Sequence, residues 1–418
     1  MKFQLNPKNT LILSSIFSIV IVACGYLVYS RMGVSDNPLQ PQVQNVSDST
    51  EEQKVAETEY VLPVGAELDL AFFGDIFWGR YIHDWSLNSP LGYEYPFHQL
   101  RSIPKKENEF WVGNLECPIT DQDLSSQQQE NLLKFNCRPE YLPYAQEYFD
   151  AFSLANNHTD NMEEFNGYNQ TKQYLETNSI QHFGHYDNEI NNICRIIEVS
   201  ATPRYSPKDT QELDSSQVIE QYSQVTIPVA FCGYHGVFRT LTADEINKIA
   251  EFAEYLPVIS MPHSGAEYVT TPDGIKTSTY RAMIDAGADV VIGGHPHAVQ
   301  STEIYNNKLI VYSQGNFIFD QQFNRQVTTH LGIRMNIDIQ FDSSVEEWQK
   351  LPSSCYDRTL ICSEIMTLSN PKPEYTITYE PFYTRSDNKI TRLATDEITI
   401  QYINSVSGIQ ATLTSFNN

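Results

Sequence analysis

Ala288-Asp-Val-Val-Ile-Gly-Gly-His-Pro-His-Ala-Val-Gln300 is the stretch on which the reading of this chain turns. Residues 288–292 form a short β-branched run suited to a buried parallel strand, and Gly293-Gly294 lets the backbone bend sharply at its carboxyl end. His295 and His297 follow at once, with Pro296 stiffening the loop between them. Ligands of open α/β sheets gather beyond the carboxyl ends of the strands, so two imidazoles at this point are placed to hold a metal ion. Two loop histidines can also stand there with no ligand. Other strand ends decide between the two.

Upstream, residues 258–262 read as a strand that delivers His263, with Glu267 and Tyr268 close behind. An amphipathic helix over 242–256 precedes it, opened by Thr242 and Glu245 in capping-box spacing, and a second helix over 277–286 follows. Further back, residues 151–154 read as a strand ending in Asn156, Asn157, His158 and Asp160. So many polar side chains beside a core are costly unless they cap a helix or bind something, and capping accounts for one of them, not for the histidine. A helix over 163–176 is expected next, burying Phe165, Tyr168, Tyr174 and Leu175. Residues 110–116 end in Gly113, Asn114 and Glu116, and a carboxylate there can bridge two cations. The first folded strand, 68–73, ends at Gly74 and Asp75. Downstream, Asn306-Asn307 marks a hairpin, the Gly315-Asn316 turn leads into aromatics that can wall a pocket, and the alternating run 332–341 is expected to be a sheet-edge strand.

Five strand ends therefore carry oxygen or nitrogen ligands in an alternating α/β chain, which points to one shared cleft. A mixed set of histidine, asparagine and carboxylate suits Mn, Fe, Zn or Co rather than calcium. With a bridging carboxylate it can hold two ions about 3.5–4 Å apart, the arrangement used for phosphoester hydrolysis.

The ordered motifs Gly74-Asp75, Asn114-Leu-Glu116, Ala155-Asn-Asn-His158-Thr-Asp160, Pro262-His-Ser-Gly-Ala-Glu-Tyr268, Gly293-Gly-His-Pro-His-Ala-Val-Gln300 and Ser313-Gln-Gly-Asn-Phe-Ile-Phe-Asp-Gln321 resemble the CapA family of capsule (poly-γ-glutamate) biosynthesis proteins. That family belongs with the calcineurin-like metallophosphoesterases, and the resemblance covers about residues 66–340. It implies an α/β fold, the four-layer α/β/β/α sandwich, in which two stacked sheets are flanked by helices. It also implies two divalent metal ions, Mn, Fe or Zn. Carried over by motif, Asp75 and His297 would bind the first metal, Glu116 would bridge, and Asn157, His263 and His295 would hold the second. His158 resembles the superfamily's general acid or phosphate-stabilising histidine, while Asn114, Asn156, Asp160, Glu267 and Asn316 are expected to support the ligands or line the substrate pocket. Three positions depart from the pattern: Phe77 stands where many superfamily members have a first-motif histidine, Ser264 replaces an aromatic residue, and Asn161 occupies the place of an aspartate.

The 418 residues carry 27 Lys plus Arg against 52 Asp plus Glu, a formal charge of −25, so nucleic acid is not an expected partner. Residues 11–29 form an apolar run long enough to cross a hydrocarbon core of about 30 Å, and Lys2 and Lys8 before it favour an inside N terminus. The expected organisation is a membrane anchor over 1–31, a flexible acidic linker over 32–65, the metallophosphoesterase domain over 66–341, and a β-rich extension over 342–418 packed on it. The chain is then a single-pass protein of the bacterial cell membrane with its catalytic domain outside the cytoplasm. The alternative is a lipoprotein anchored at Cys24. Of the six other cysteines, proximity favours Cys117 with Cys137 and Cys355 with Cys362 among fifteen pairings. Two functions stand at this point. One is a surface hydrolase acting on a phosphoester or a polyanionic polymer. The other is a non-catalytic scaffold guiding such a polymer beside other capsule-synthesis membrane proteins.

Overall fold

The computed structural model describes residues 63–187, 190–206, 224–341, 372–409 and 416–417. The expected anchor, nearly all of the linker, Cys24, Cys355 and Cys362 lie outside the described residues. Among the described residues no helix is long and apolar enough to cross a membrane.

Strand β1 (Gly65–Ile76) is followed by helix α1 (Arg80–Leu87), β2 (Phe110–Leu115), α2 (Ser126–Leu132), β3 (Ala151–Ser153), α3 (Gly167–Thr177) and β4 (Gln181–Phe183). These four strands pair in parallel in the order β1-β2-β3-β4. Next come β5 (Cys194–Arg204), β6 (Val225–Gly236), α4 (Ala243–Ala253), β7 (Val258–Ser264), α5 (Gly274–Asp285) and β8 (Val290–Ile292). Here β6, β7 and β8 run parallel, and β8 is continued by the hairpin of β9 (Thr302–Tyr305) and β10 (Lys308–Val311). The chain then returns to the first ladder. β11 (Asn316–Ile318) lies parallel to β1, while β12 (Thr329–Gln340), β13 (Tyr375–Asp387) and β14 (Ile390–Leu393) extend it antiparallel, followed by α6 (Glu397–Ser407) and β15 (Phe416–Asn417). The two ladders join where Gly65–Glu67 pairs with Thr202–Arg204.

The alternation of side chains along a strand explains how the ladders bury their faces. From β1, Ala66, Leu68, Leu70 and Phe72 enter one core with Ile333, Met335 and Ile337 of β12, and with Val229, Phe231, Ile259 and Val291 of the second ladder. Ala71 and Phe73 face the other way, into a second core of Trp111, Phe149, Phe152, Leu175 and Phe317. Phe73 is the hub of that second core, its ring 4.5 Å from Trp111 and 4.6 Å from Phe317 between centroids. The expected α/β fold is thus observed.

Local readings meet the structure unevenly. Asn306 and Asn307 both take positive φ (47° and 60°), as a two-residue hairpin loop requires, and the Thr242–Glu245 capping box forms. The run 332–341 is no edge strand: β12 lies between β1 and β13. Its alternation reports which face is buried, and its second neighbour arrives only at residue 375. The helix expected over 163–176 is broken. Glu163–Phe165 is a single 3₁₀ turn, Asn166 takes φ 60°, and α3 starts at Gly167, where a Cβ would stand 2.7 Å from the Met162 carbonyl oxygen. Phe165 is consequently exposed, while Tyr168 and Leu175 are buried. Cys117 pairs with Cys137, and Cys194 with Cys232, which stand opposite each other in the β5–β6 ladder.

Candidate metal centre

The carboxyl ends of β1, β2, β3, β7 and β8 meet because the ladders are in register there: Asp75 pairs with Asn114, Asn114 with Ser153, and His263 bridges to Gly294. Two of these ends come close only because glycine forms them. A Cβ on Gly74 would stand 1.9 Å from the Gly315 carbonyl oxygen, and one on Gly294 would stand 2.8 Å from Asp75 Oδ1. His295 and His297 hold positive φ, 91° and 53°, an uncommon backbone for a side-chain-bearing residue that turns both imidazoles inward.

Glu116 sits at the middle. It is fully buried, and neither carboxylate oxygen has a hydrogen-bond partner. Burying a carboxylate costs several kcal/mol even after relaxation, so an unbonded one needs a compensating charge. Its Oε1 lies 3.5 Å from His263 Nε2, 3.8 Å from His297 Nε2 and 4.0 Å from His158 Nε2. Those separations are long for hydrogen bonds. Two ligands each about 2.1 Å from one ion stand roughly 3.0–3.5 Å apart, so the His263 spacing suits atoms that share a cation, and His297 stands a few tenths of an ångström beyond it. Two such sets exist among the described residues: Asp75, Glu116 and His297, and Glu116, His263 and His295, each with ligand atoms within 4.8 Å of one another. Glu116 belongs to both.

The surrounding amides fix the orientation of these groups. Asn156 donates to Asn114 Oδ1 (3.1 Å), which turns Asn114 Nδ2 toward Asp75 Oδ1 (2.9 Å) and His263 Nδ1 (3.1 Å). Asn157 Oδ1 lies 3.0 Å from His263 Nε2. Asn316 donates to Gln321 and to the Val327 carbonyl, so its oxygen faces His297 Nδ1 at 2.8 Å and leaves His297 Nε2 toward Glu116. His295 Nδ1 is buried without a hydrogen-bond partner, as a metal-facing nitrogen would be. Asp160 and Glu267 are exposed. Asp160 accepts a hydrogen bond from Asn161, and Glu267 reaches the cluster only through its field on His297.

The electrostatics follow from burial and from these neighbours. Burial lowers the His297 pKa, but Glu116 and Asp75 outweigh it and hold the group up at about 9. For Asp75, burial pushes upward, yet the hydrogen bond from His297 and the charges of His263 and His297 bring it below the ordinary carboxylate value. His295, buried beside two imidazoles, stays far below the usual range. Burial takes His158 down to about 4.

Several contributors escaped the sequence reading. Asn161 Oδ1 accepts from the Phe135 amide (2.7 Å) and faces His158 Nδ1 (2.8 Å), so that nitrogen carries the proton and Nε2 keeps the lone pair. The Phe135 ring stacks on His158 with centroids 3.7 Å apart. Phe77, in place of a first-motif histidine, stacks on Phe135 at 4.5 Å, and the Arg80 guanidinium covers both rings while bonding Asp320 at 2.8 and 2.6 Å. An aromatic wall thus stands where the additional ligand would be. His235 of β6 lies beside His263 in the ladder. Motif spacing singled out Phe77 and Asn161 as departures from the family pattern; Phe135, Arg80 and His235 carried no sequence signal.

Comparison with known proteins identifies the family. Residues 69–321 match the family model described as bacterial capsule synthesis protein PGA_cap. The chain is 25% identical over 294 residues to the capsule biosynthesis protein CapA of Bacillus anthracis, covering 65% of each chain. It is 28% identical over 277 residues to the PGA biosynthesis protein CapA of Bacillus subtilis (strain 168), covering 62% of this chain and 65% of that one. The match thus spans just under two thirds of the length of these relatives. With the family model matching more than half of the chain, this protein belongs to the bacterial capsule synthesis (PGA_cap) family, the CapA family of the calcineurin-like superfamily.

Proposed function

We propose that the cluster holds two divalent metal ions, Mn, Fe or Zn, and that the chain is a metal-dependent hydrolase of the bacterial cell envelope working in capsule or poly-γ-glutamate biosynthesis. The observation that carries this reading is Glu116, a buried carboxylate with both oxygens unbonded that is common to both ligand sets. Asp75 and His297 would complete one set; His263, His295 and Asn157 would complete the other. Bound divalent ions would supply Lewis acidity at the scissile ester. His158 Nε2, with its lone pair exposed toward the cluster by the Asn161 hydrogen bond, is the group suited to take or return a proton at the reacting oxygen. Asn114, Asn156 and Asn316 keep the ligands oriented, and burial keeps bulk water away.

The proposal includes a calcineurin-like four-layer arrangement, an anchor over 1–31 joined by the linker over 32–65, and a domain held outside the cytoplasm. The partners are the membrane, other capsule-synthesis membrane proteins, and a phosphoester or polyanionic polymer. The test is turnover of a generic phosphodiester by the full-length chain in detergent with Mn, Fe or Zn. Wild-type turnover that His158→Ala and His295→Ala abolish supports the reading, and no turnover with any of these metals counts against it.

Phe77 favours a second reading. Without a first-motif histidine, the set containing Asp75 has three protein ligands here, which fits a scaffold that binds an anionic polymer without cleaving it. Full capsule production by a His297→Ala strain would decide for the scaffold.

A further inference from the structure

Ser264, the residue after His263, opens onto a second pocket of about 350 Å³ between the ends of β6 and β7 and the first turns of α5. Arg239, Asp273 and Lys276 bring charge to its lining, and Phe238 and Ile275 bring apolar surface. Two of these charges are already engaged. Arg239 pairs with Glu245 and donates to the Asp187 carbonyl (3.1 Å), while Asp273 caps α5 by accepting from the Lys276 amide (2.7 Å).

Lys276 differs. Its side chain is almost fully buried, at 3% exposure, and the carboxylates of Asp75 and Asp273 act on its ammonium only through space, with no ion pair to either among the described residues. The ammonium donates to the Ser264 carbonyl (2.8 Å) and lies 5.3 Å from the Tyr280 ring centre, which accounts for one of three donors. A buried ammonium with no carboxylate in contact is costly, and burial outweighs the fields of Asp75 and Asp273 and pulls its pKa down to about 7. Gly265, at φ 107°, runs alongside this side chain, and a Cβ there would stand 3.3 Å from Lys276 Cδ. The lip is also unusual, because Phe238 is 99% exposed and held at φ 59°, an exposed aromatic on a strained backbone.

We propose that this pocket seats an oxyanion, carboxylate or phosphate, carried on a chain molecule, with Lys276 as its counter-charge and Phe238 against the adjoining apolar segment. The ligand is a substrate arm only on the preceding reading of the metal cluster; the binding itself does not depend on that reading.

The experiment is titration calorimetry on the full-length chain in detergent with excess chelator, so that failure of the metal centre or of turnover leaves the result unaffected. A γ-linked glutamate pentamer probes the carboxylate and tripolyphosphate the phosphate. Binding of either probe that falls at least about tenfold in Lys276→Met and is largely restored in Lys276→Arg is expected from loss of a charge-assisted hydrogen bond. Ile275→Glu, at a position 63% exposed, places a like charge at the mouth and should weaken binding without touching the core. It carries the test if Lys276→Met does not fold. The pentamer binding better identifies the seat as one for carboxylate, the phosphate as one for phosphate. No binding of either probe, or unchanged binding in the folded variants, overturns the proposal.

Discussion

Replacing Glu116 with glutamine keeps the shape of the side chain and removes the one charge common to both ligand sets. The consequence is measurable as metal-dependent stabilisation. At a metal concentration a hundred times each Kd, two sites would stabilise the wild type by about 5 kcal/mol, from about 2.7 kcal/mol each. For a folded unit of about 300 residues the unfolding entropy is about 0.6 kcal/mol per kelvin, so the melting temperature should rise by about 8 °C. If Glu116→Gln weakens both sites a hundredfold or more, the same metal concentration leaves less than about 1 kcal/mol, a shift under about 2 °C. With chelator the variant should remain folded, because both carboxylate oxygens lack hydrogen bonds that glutamine would have to replace. The assay is differential scanning calorimetry with and without Mn or Zn. A variant that gains as many degrees as the wild type would refute the reasoning.

Other outcomes follow from the same geometry. Gly294→Ala puts a Cβ 2.8 Å from Asp75 Oδ1 and 3.1 Å from His263 Nδ1, so a metal titration should show tenfold or greater loss of affinity, with about 1–3 kcal/mol of destabilisation in chelator. His297 is held at about 9 against an ordinary value near 6.5, so the native state binds its proton more tightly than the unfolded one. Its stabilisation is complete below pH about 6.5 and lost as pH rises through about 9, whereas the depressed His158 and His295 destabilise in the opposite direction, below pH about 6.5. Lys276, held at about 7, acts the other way over pH 7 to 9.5, so the readout is the difference: in chelator the melting temperature of the wild type relative to His297→Gln should fall from pH 7 to pH 9.5. Replacing Cys117 and Cys137 together with alanine opens a loop of 20 residues and should cost about 3 kcal/mol in a denaturant titration.

The sequence made the ligand ends legible because each chemical group sits at a strand-to-turn boundary with its own local signal: glycine at 74, 293 and 294, and polar clusters at 114–116 and 156–158. What stayed hidden depends on contacts across long separations. Phe135 is a plain aromatic in the sequence and becomes the plate on which His158 rests. Arg80 reaches Asp320 across 240 positions. Cys194 and Cys232 meet because β5 and β6 pair in one register, which spacing alone does not reveal. Alternation in 332–341 told which residues face the core and said nothing of how many strands lie alongside. The break at Asn166 came from a left-handed residue followed by a tightly packed glycine, a local event that helical periodicity does not record.

The central claim is that Glu116 is the carboxylate common to two cation sites. It is tested most directly by elemental analysis of the full-length chain after reconstitution with Mn, Fe or Zn and removal of free metal. The account predicts close to two transition-metal atoms per chain in the wild type and fewer than one in Glu116→Gln. A wild type that retains none, or a variant that retains two, would contradict it.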